Sequence, residues 1–349
     1  MADIIVRGAG IFGLSVAWAC LKKGARVCVV DPKGVGTGAS SGPVGALAPH
    51  TPDQWNNKKA LQFKSLVMAD TFWADIAGVG GHDPGYARIG RWQPLFDDRH
   101  VTLARTRSVG AQTYWKGQFT WTVRACHPDL APAPTGLMIY DTLSARIHPK
   151  RATKALANAI VAVGGSIERT AENHRGVEVW ATGVAGLSAL SAELGTSVGN
   201  GVKGQAALLA RDLGGTPQIF ADTIHADTIH IVPHGDGTVA VGSTSERSYD
   251  DAHSTDENLD KLIAKARAIC PALGQARVIA RWAGVRPRAR SRAPMLGQHP
   301  TRANTYIANG GFKIGFGMAP ICAQLMADLI LDGVDHIPPG FKPEASLAP

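Results

Sequence analysis

Near the start of the chain two short apolar runs, Ile4 to Val6 and Val27 to Val30, are continuous rather than alternating. That pattern predicts strands buried on both faces of a parallel sheet. Between them "IFGLSVAWACLKKG" has helical spacing and stops at Gly24, a residue suited to a helix C-terminus. The first thirty residues thus read as strand, glycine turn, helix, strand. The same grammar returns from "HPKRATKALANAIVAVGGSIER" through "GVEVWATGVAGLSAL", and again in the closing "NTYIANGGFKIGFGMAPICAQLMADLILDG".

The segments between these units have a different period. Residues 85–143 carry short alternating runs such as "YARIGRWQPLF" and "TYWKGQFTWTV", which predict antiparallel strands. Residues 198–281 contain "IHIVPHGDGTVAVGSTS", where a DG dipeptide between apolar runs signals a hairpin. The near-duplicate "DTIHADTIH" is too short for an architectural repeat. The expected fold class is α/β (α+β overall). A discontinuous nucleotide-binding domain (1–84, 144–197 and 282–349) is joined by a second domain on a mixed or antiparallel sheet (85–143 and 198–281).

Composition narrows the functional classes. The 349 residues are 45% apolar and 18% charged, an ordinary globular balance, and forty glycines point to tight turns or close backbone approach to a ligand. The net charge of +8 favours anionic ligands. The main basic cluster, "RPRARSR", lacks interleaved aromatics, so nucleic acid is not the expected partner. The five cysteines form no CxxC pair, which argues against a metal or disulfide framework and for a reducing, cytoplasmic location. No secretory signal and no apolar run long enough for a membrane span is visible.

"GAGIFG" sets Gly8, Gly10 and Gly13 in the G-x-G-x-x-G pattern directly after a strand. Glycines there permit a tight turn, backbone approach to a pyrophosphate and close helix–strand packing, with the helix N-terminus facing the phosphates. Asp31 ends the second strand eighteen residues after Gly13, where a carboxylate can accept ribose hydroxyls. It favours FAD or NAD over NADP; a turn-forming role before Pro32 is the alternative. The following "PKGVGTGASSGPVGALAPH" is too long and glycine-rich for a simple connection. It suits FAD bound in extended form, with Ser40 and Ser41 at phosphate or ribityl oxygens and the backbone of Gly45, Ala46 and Leu47 near the flavin.

At five places in order the chain resembles the family of FAD-dependent amine oxidoreductases that includes D-amino-acid oxidase, glycine oxidase and sarcosine oxidase. These are "GAGIFG" with Asp31, "TGASSGPVGALAP", "VEVWATGVAG", "IHIVPHGDGTVAVGSTSE" with "WAGVRPRARSRAPMLG", and "YIANGGFKIGFGMAP". The resemblance implies a Rossmann-like FAD domain interrupted by a substrate domain. Thr182 and Gly183 in "ATG" then correspond to a second glycine turn near the dinucleotide, and Ala171 to a backbone contact with adenine. The turn holding Gly311, Lys313, Ile314 and Gly315 is expected beside the isoalloxazine, where helix N–H groups can stabilise negative charge on the ring.

The implied reaction is oxidation of a small amino acid of the glycine or D-amino-acid type. Hydride passes from the α-carbon to flavin N5, and the imine hydrolyses to a 2-oxo acid and ammonia. Arg286 in "WAGVRP" is similar to the arginine that grips the substrate carboxylate in glycine oxidases. Lys313 is similar to the lysine of sarcosine oxidases. His50 in "LAPH" falls near the place of a residue over the flavin face, with a packed histidine as the other reading. No cysteine stands where sarcosine oxidases attach their flavin, so FAD is expected to be noncovalent. The electron acceptor is oxygen or another species. A secondary-amine substrate, a homo-oligomer and a flavin-bearing subunit of a hetero-oligomer stay open.

Overall fold

A computed structural model of the chain describes residues 2–170, 175–222 and 228–347. The continuous apolar runs form the centre of a six-stranded sheet. Its order is Met295–Gln298, Thr305–Asn309, Val177–Trp180, Ile4–Arg7, Val27–Val30 and Ser166–Glu168. All its pairings are parallel except the edge pair Met295–Gln298 with Thr305–Asn309. Helix Ile11–Lys22 runs between the first two strands, and Gly24 turns the chain with φ +89°.

Helices Ile11–Lys22, Asn57–Gly80, Pro149–Ala162 and Gly315–Asp332 pack on this sheet around a core that includes Leu14, Trp73, Leu156 and Met318. The closing helix Gly315–Asp332 is long and apolar enough to cross a membrane, yet most of it is packed inside this core.

The second sheet has eight strands: Arg277–Ala289, Gly199–Ala210, Thr238–Gly242, Thr228–Pro233, Gln218–Asp222, Arg91–Pro94, Leu137–Asp141 and Trp121–Ala125. It is mixed, since Gln218–Asp222 pairs parallel with Arg91–Pro94 and the other neighbours pair antiparallel. The DG hairpin closes between Pro233 and Thr238, with Gly237 at φ +79°. Ile229, Ile231, Val239 and Val241 turn one face of the sheet toward Leu259, Leu262 and Ile263 of helix Glu257–Ile269. Strand alternation sends the residues between them to the opposite face.

Two features depart from the sequence reading. Residues 98–114, part of a segment read as strands, form a helix capped by the Asp97 carboxylate, which accepts from the His100 N–H at 2.8 Å. Only Ala104 and Ala111 of this helix are buried, so its apolar stripe is too thin to register as periodicity. The strand Arg277–Ala289 also runs through residue 282, so residues 282–289 lie in the eight-stranded sheet. We propose a domain division after Ala289 on this pairing.

The neighbouring strands Arg91–Pro94 and Leu137–Asp141 are tied by a buried ion pair. Arg91 Nε donates to Asp141 Oδ2 at 2.7 Å, and Asp141 Oδ1 accepts from the Ser144 N–H at 2.9 Å. Asp141→Ala leaves the Arg91 charge buried without its counter-ion. The variant is expected to lose about 3–5 kcal/mol of stability in denaturant unfolding, and a loss below 1 kcal/mol would show that the pair is not structural.

Candidate cofactor and substrate site

A cleft of ≈ 640 Å³ is lined from both sheets. Its first wall is the glycine turn after strand Ile4–Arg7. Gly8 adopts φ +109°, and a Cβ there would lie 2.4 Å from the Ala181 carbonyl oxygen. A Cβ on Gly13 would lie 1.9 Å from the Gly8 carbonyl oxygen, so the helix can sit this close to the strand only with glycine. Gly13 does not line the cleft; it supports the turn that does. Asp31 stabilises the same turn, its Oδ2 accepting from the Ala9 N–H at 2.8 Å and its Oδ1 from the Lys33 N–H at 2.9 Å.

The loop after Asp31 closes over the helix start. Ser40 Oγ accepts from the Ile11 N–H at 3.0 Å. Ser41 Oγ accepts from Trp282 Nε1 at 2.9 Å and donates to the Gly38 carbonyl. The Trp282 ring lies where a Cβ on Gly42 or Gly284 would be, 3.2 and 2.5 Å from its nearest atoms. Gly45 also lines the cleft, and a Cβ there would strike the Ile147 carbonyl oxygen at 1.8 Å.

Thr182 and Gly183 line the same cleft at the start of helix Gly183–Leu194. The Gly183 carbonyl accepts from Asn309 Nδ2 at 2.9 Å, and Asn309 is the last residue of its strand. Beyond Asn309 the chain turns through Gly310 at φ +74°. Gly311 then forms an isolated antiparallel bridge with Arg288, and the Phe312 N–H donates to the Pro287 carbonyl at 2.9 Å. A Cβ on Gly311 would lie 2.8 Å from the Phe12 ring. Gly311, Lys313 and Gly315 line the cleft, and helix Gly315–Asp332 opens onto it with no side-chain cap on its first N–H groups.

Arg286 is 7% exposed and reaches this cleft from the eight-stranded sheet. Its guanidinium occupies the space above Gly204, where a Cβ would lie 1.8 Å from Nη2, and Nη1 donates to the Thr244 carbonyl at 3.2 Å. Burial lowers its pKa to about 10, against a smaller opposing pull from Glu246. Lys313 projects into the open cleft, and its ammonium is lowered to about 8 by the cleft walls first and then by the charges of Arg286 and Arg288.

Three further expected site residues do not line the cleft. His50 does not line the cleft; its backbone N–H donates to Gln62 Oε1 at 2.7 Å, and Nδ1 contacts the same oxygen. Leu47 is fully buried in the main core, and Ile314 packs at the margin of that core. Ala171 lies outside the described residues.

One wall residue was not singled out by sequence reasoning. His230 lines the cleft from strand Thr228–Pro233, and its Nδ1 is buried without a hydrogen-bond partner among the described residues. Burial first, then the charges of Arg91 and Lys313, push its pKa down to about 3, so the ring is a neutral donor–acceptor. Alternation within "TIHIVP", with Ile229 and Ile231 in the core, was the available signal.

The arrangement is a glycine-walled cleft opening onto helix N-termini, lined by the acid Asp31 on one wall and by the buried Arg286 and the exposed Lys313 on the other. It defines a dinucleotide-binding protein with a site for an anionic partner. The family described as "DAO: FAD dependent oxidoreductase" matches residues 3–329, so the chain belongs to that family and is an FAD-dependent oxidoreductase. It is similar to the glycine oxidase of Geobacillus kaustophilus (strain HTA426), at 24% identity over 94% of this chain and 92% of that one. It is also similar to the putative thiamine biosynthesis oxidoreductase ThiO of Rhizobium etli, at 28% identity over 94% and 96%. The crystal structure of the glycine oxidase from Geobacillus kaustophilus superposes with a TM-score of 0.81 at 21% identity, covering 97% of this chain and 96% of that one.

The residues present fit FAD: a cradle that side chains would fill, an acid held at the end of the second strand, and a cleft lined by both glycine turns. Gly13→Ala forces backbone against backbone behind the cradle. Its FAD affinity is expected to fall by about tenfold or more, as read by quenching of flavin fluorescence, and unchanged affinity would remove the cradle from its supporting role.

Proposed function

We propose that this protein oxidises the amine of a small amino acid of the glycine or D-amino-acid type. A hydride leaves the α-carbon, and the resulting imine hydrolyses to a 2-oxo acid and ammonia. The observation that carries this reading is Arg286, a buried cation with no carboxylate partner among the described residues, lining the same cleft as the glycine turn in a member of an FAD-dependent family. When bound, FAD supplies the two-electron acceptor; oxygen or another acceptor takes the electrons onward.

The protein's own residues hold the substrate. The Arg286 guanidinium is pre-set by Gly204 beneath it and by the Thr244 carbonyl, so its free edge can grip a carboxylate bidentately. Lys313 adds a second positive charge from the turn. Neutral His230 offers a hydrogen bond to the amine. The uncapped N-terminus of helix Gly315–Asp332 favours negative charge where the turn lines the cleft. Fixing the carboxylate fixes the α-carbon, and such positioning is the main demand of a hydride transfer.

Among the described residues no cysteine lines the cleft, which supports the reading of noncovalent FAD. Buried free thiols at Cys20, Cys28, Cys270 and Cys322 are in keeping with a reducing, cytoplasmic setting. Lys313, a lysine at the position similar to that of sarcosine oxidases, favours a secondary amine as the second reading; both readings use the same carboxylate anchor.

Arg286→Ala is expected to stay yellow while anaerobic flavin reduction by its best amine slows by about a hundredfold; reduction at the wild-type rate would remove the arginine from the site. The charge on Lys313 gives a second expectation. The lysine is cationic below its pKa of about 8 and neutral above it. Affinity for propionate, read from the flavin spectrum, should therefore be higher at pH 7 and fall as pH rises, by about tenfold at pH 9.5. A flat profile would place Lys313 away from the bound carboxylate.

A further inference from the structure

Arg286 reaches the Thr244 carbonyl by crossing a strand. Strand Gly199–Ala210 has Arg286 opposite Val202 on one edge and strand Thr238–Gly242, which leads into Thr244, on the other. The guanidinium spans the strand above Gly204 to meet the carbonyl beyond it. Where that carbonyl points therefore sets where the guanidinium points.

Residues 244–246 run antiparallel beside residues 203–205. The Thr244 N–H donates to the Gln205 carbonyl at 3.2 Å, and Lys203 and Glu246 exchange N–H and carbonyl bonds at 3.0 and 2.9 Å. Alternation puts Gly204 and Ala206 on the cleft face of the strand. Lys203, Gln205 and Ala207 then take the face packed by helix Glu257–Ile269.

On that far face Gln205 is fully buried, and its amide is matched on every side. Its Nε2 donates to Glu246 Oε1 at 3.0 Å and to Asp256 Oδ1 at 2.8 Å, while its Oε1 accepts from the Asp256 N–H at 2.9 Å. Two hydrogens for two carboxylates and an oxygen for an N–H fix the amide in one orientation. Glu246 Oε1 also accepts from the Thr244 hydroxyl, which itself accepts from the Gln205 N–H at 2.8 Å. Glu246 Oε2 faces the buried Lys203 ammonium at 3.7 Å. The residue that anchors Arg286 is thus gripped through its backbone and through its hydroxyl.

The two acids that Gln205 joins stand at the ends of one loop. Between Glu246 and Asp256 the chain leaves the sheet, and Ala252 and His253 of this stretch line the cleft. Asp256 then caps helix Glu257–Ile269. One amide closes the base of a cleft-lining loop and braces the carbonyl that orients Arg286. Neither Gln205 nor Glu246 lines the cleft itself.

Resting on the carboxylate role of Arg286 proposed above, we propose that Gln205 and Glu246 are positioning residues. They act through Thr244 to hold the guanidinium at the angle that grips the substrate carboxylate. A glutamine that only steadied the sheet would make the same bonds; the two roles differ in whether the effect passes through Arg286.

A double-mutant cycle on the FAD-loaded protein separates them, with propionate affinity read from the flavin spectrum and FAD affinity from flavin fluorescence. Gln205→Leu and Thr244→Val each remove part of the brace at similar volume. Each is expected to weaken propionate by about tenfold or more in the wild-type background and by less than about twofold in Arg286→Ala, with FAD affinity held within about twofold. Glu246→Leu should behave as Gln205→Leu does. Glu246→Gln keeps an oxygen for the Thr244 hydroxyl and should stay within about threefold of wild type.

Equal losses in both backgrounds, or no loss in the wild type, overturn the proposal while leaving Arg286 at the carboxylate. A Glu246→Gln as damaging as Glu246→Leu overturns the hydrogen-bonded brace. Should Gln205→Leu fail to hold FAD, Thr244→Val decides alone, because it leaves every bond of the Gln205 side chain in place. If Arg286→Ala binds propionate as tightly as wild type, the carboxylate role of Arg286 falls and this proposal with it. If the cycle behaves as expected but no amine reduces the flavin, the amine reading falls and the brace on Arg286 stands.

Discussion

The site depends on how the turn 309–315 is clamped. Gly311 is bridged to Arg288 at the end of the longest strand of the eight-stranded sheet, and its missing side chain leaves room for the Phe12 ring at the start of the first helix. The turn thus touches the glycine cradle on one side and the substrate-facing sheet on the other. That double contact holds Lys313 at the cleft that Arg286 also lines and opens a helix N-terminus onto it. Asn309 adds the third tie by donating to Gly183, which joins the two glycine turns to one another. Close approach of backbone to ring and backbone to backbone is the common physical demand, and it explains why glycines crowd these segments.

Much of the nucleotide-binding half was legible because its signals are local. Continuous apolar strands, a glycine turn and a helix ending at Gly24 fall within thirty residues, and the acid at the end of the second strand completes the pattern. The helix 98–114 was hidden because it buries only two alanines, so alternation nearby in "TYWKGQFTWTV" dominated the reading. Propensity alone cannot recover a helix whose stability comes from its cap and its tertiary contacts.

The substrate end was legible only in part. Arg286 and Lys313 could be picked out by resemblance to family motifs, but their proximity is long-range and depends on the bridge between residues 288 and 311. His230 sits in a strand whose neighbours Ile229 and Ile231 fill the core, and only the choice of which sheet face meets the cleft gives it meaning. His50 shows the opposite failure. Its place in the chain suggested the flavin face, while Gln62, 2% exposed on the following helix, holds it through both its backbone and its ring.

The account stands on a cleft that takes up an entire flavin dinucleotide without a covalent bond. Acid precipitation of the purified yellow protein, with chromatography of the supernatant, measures this directly. Release of intact FAD at about one equivalent per chain, with a colourless pellet, is the expected result. A protein that is colourless and takes up no FAD, or a pellet that keeps its flavin, would contradict it.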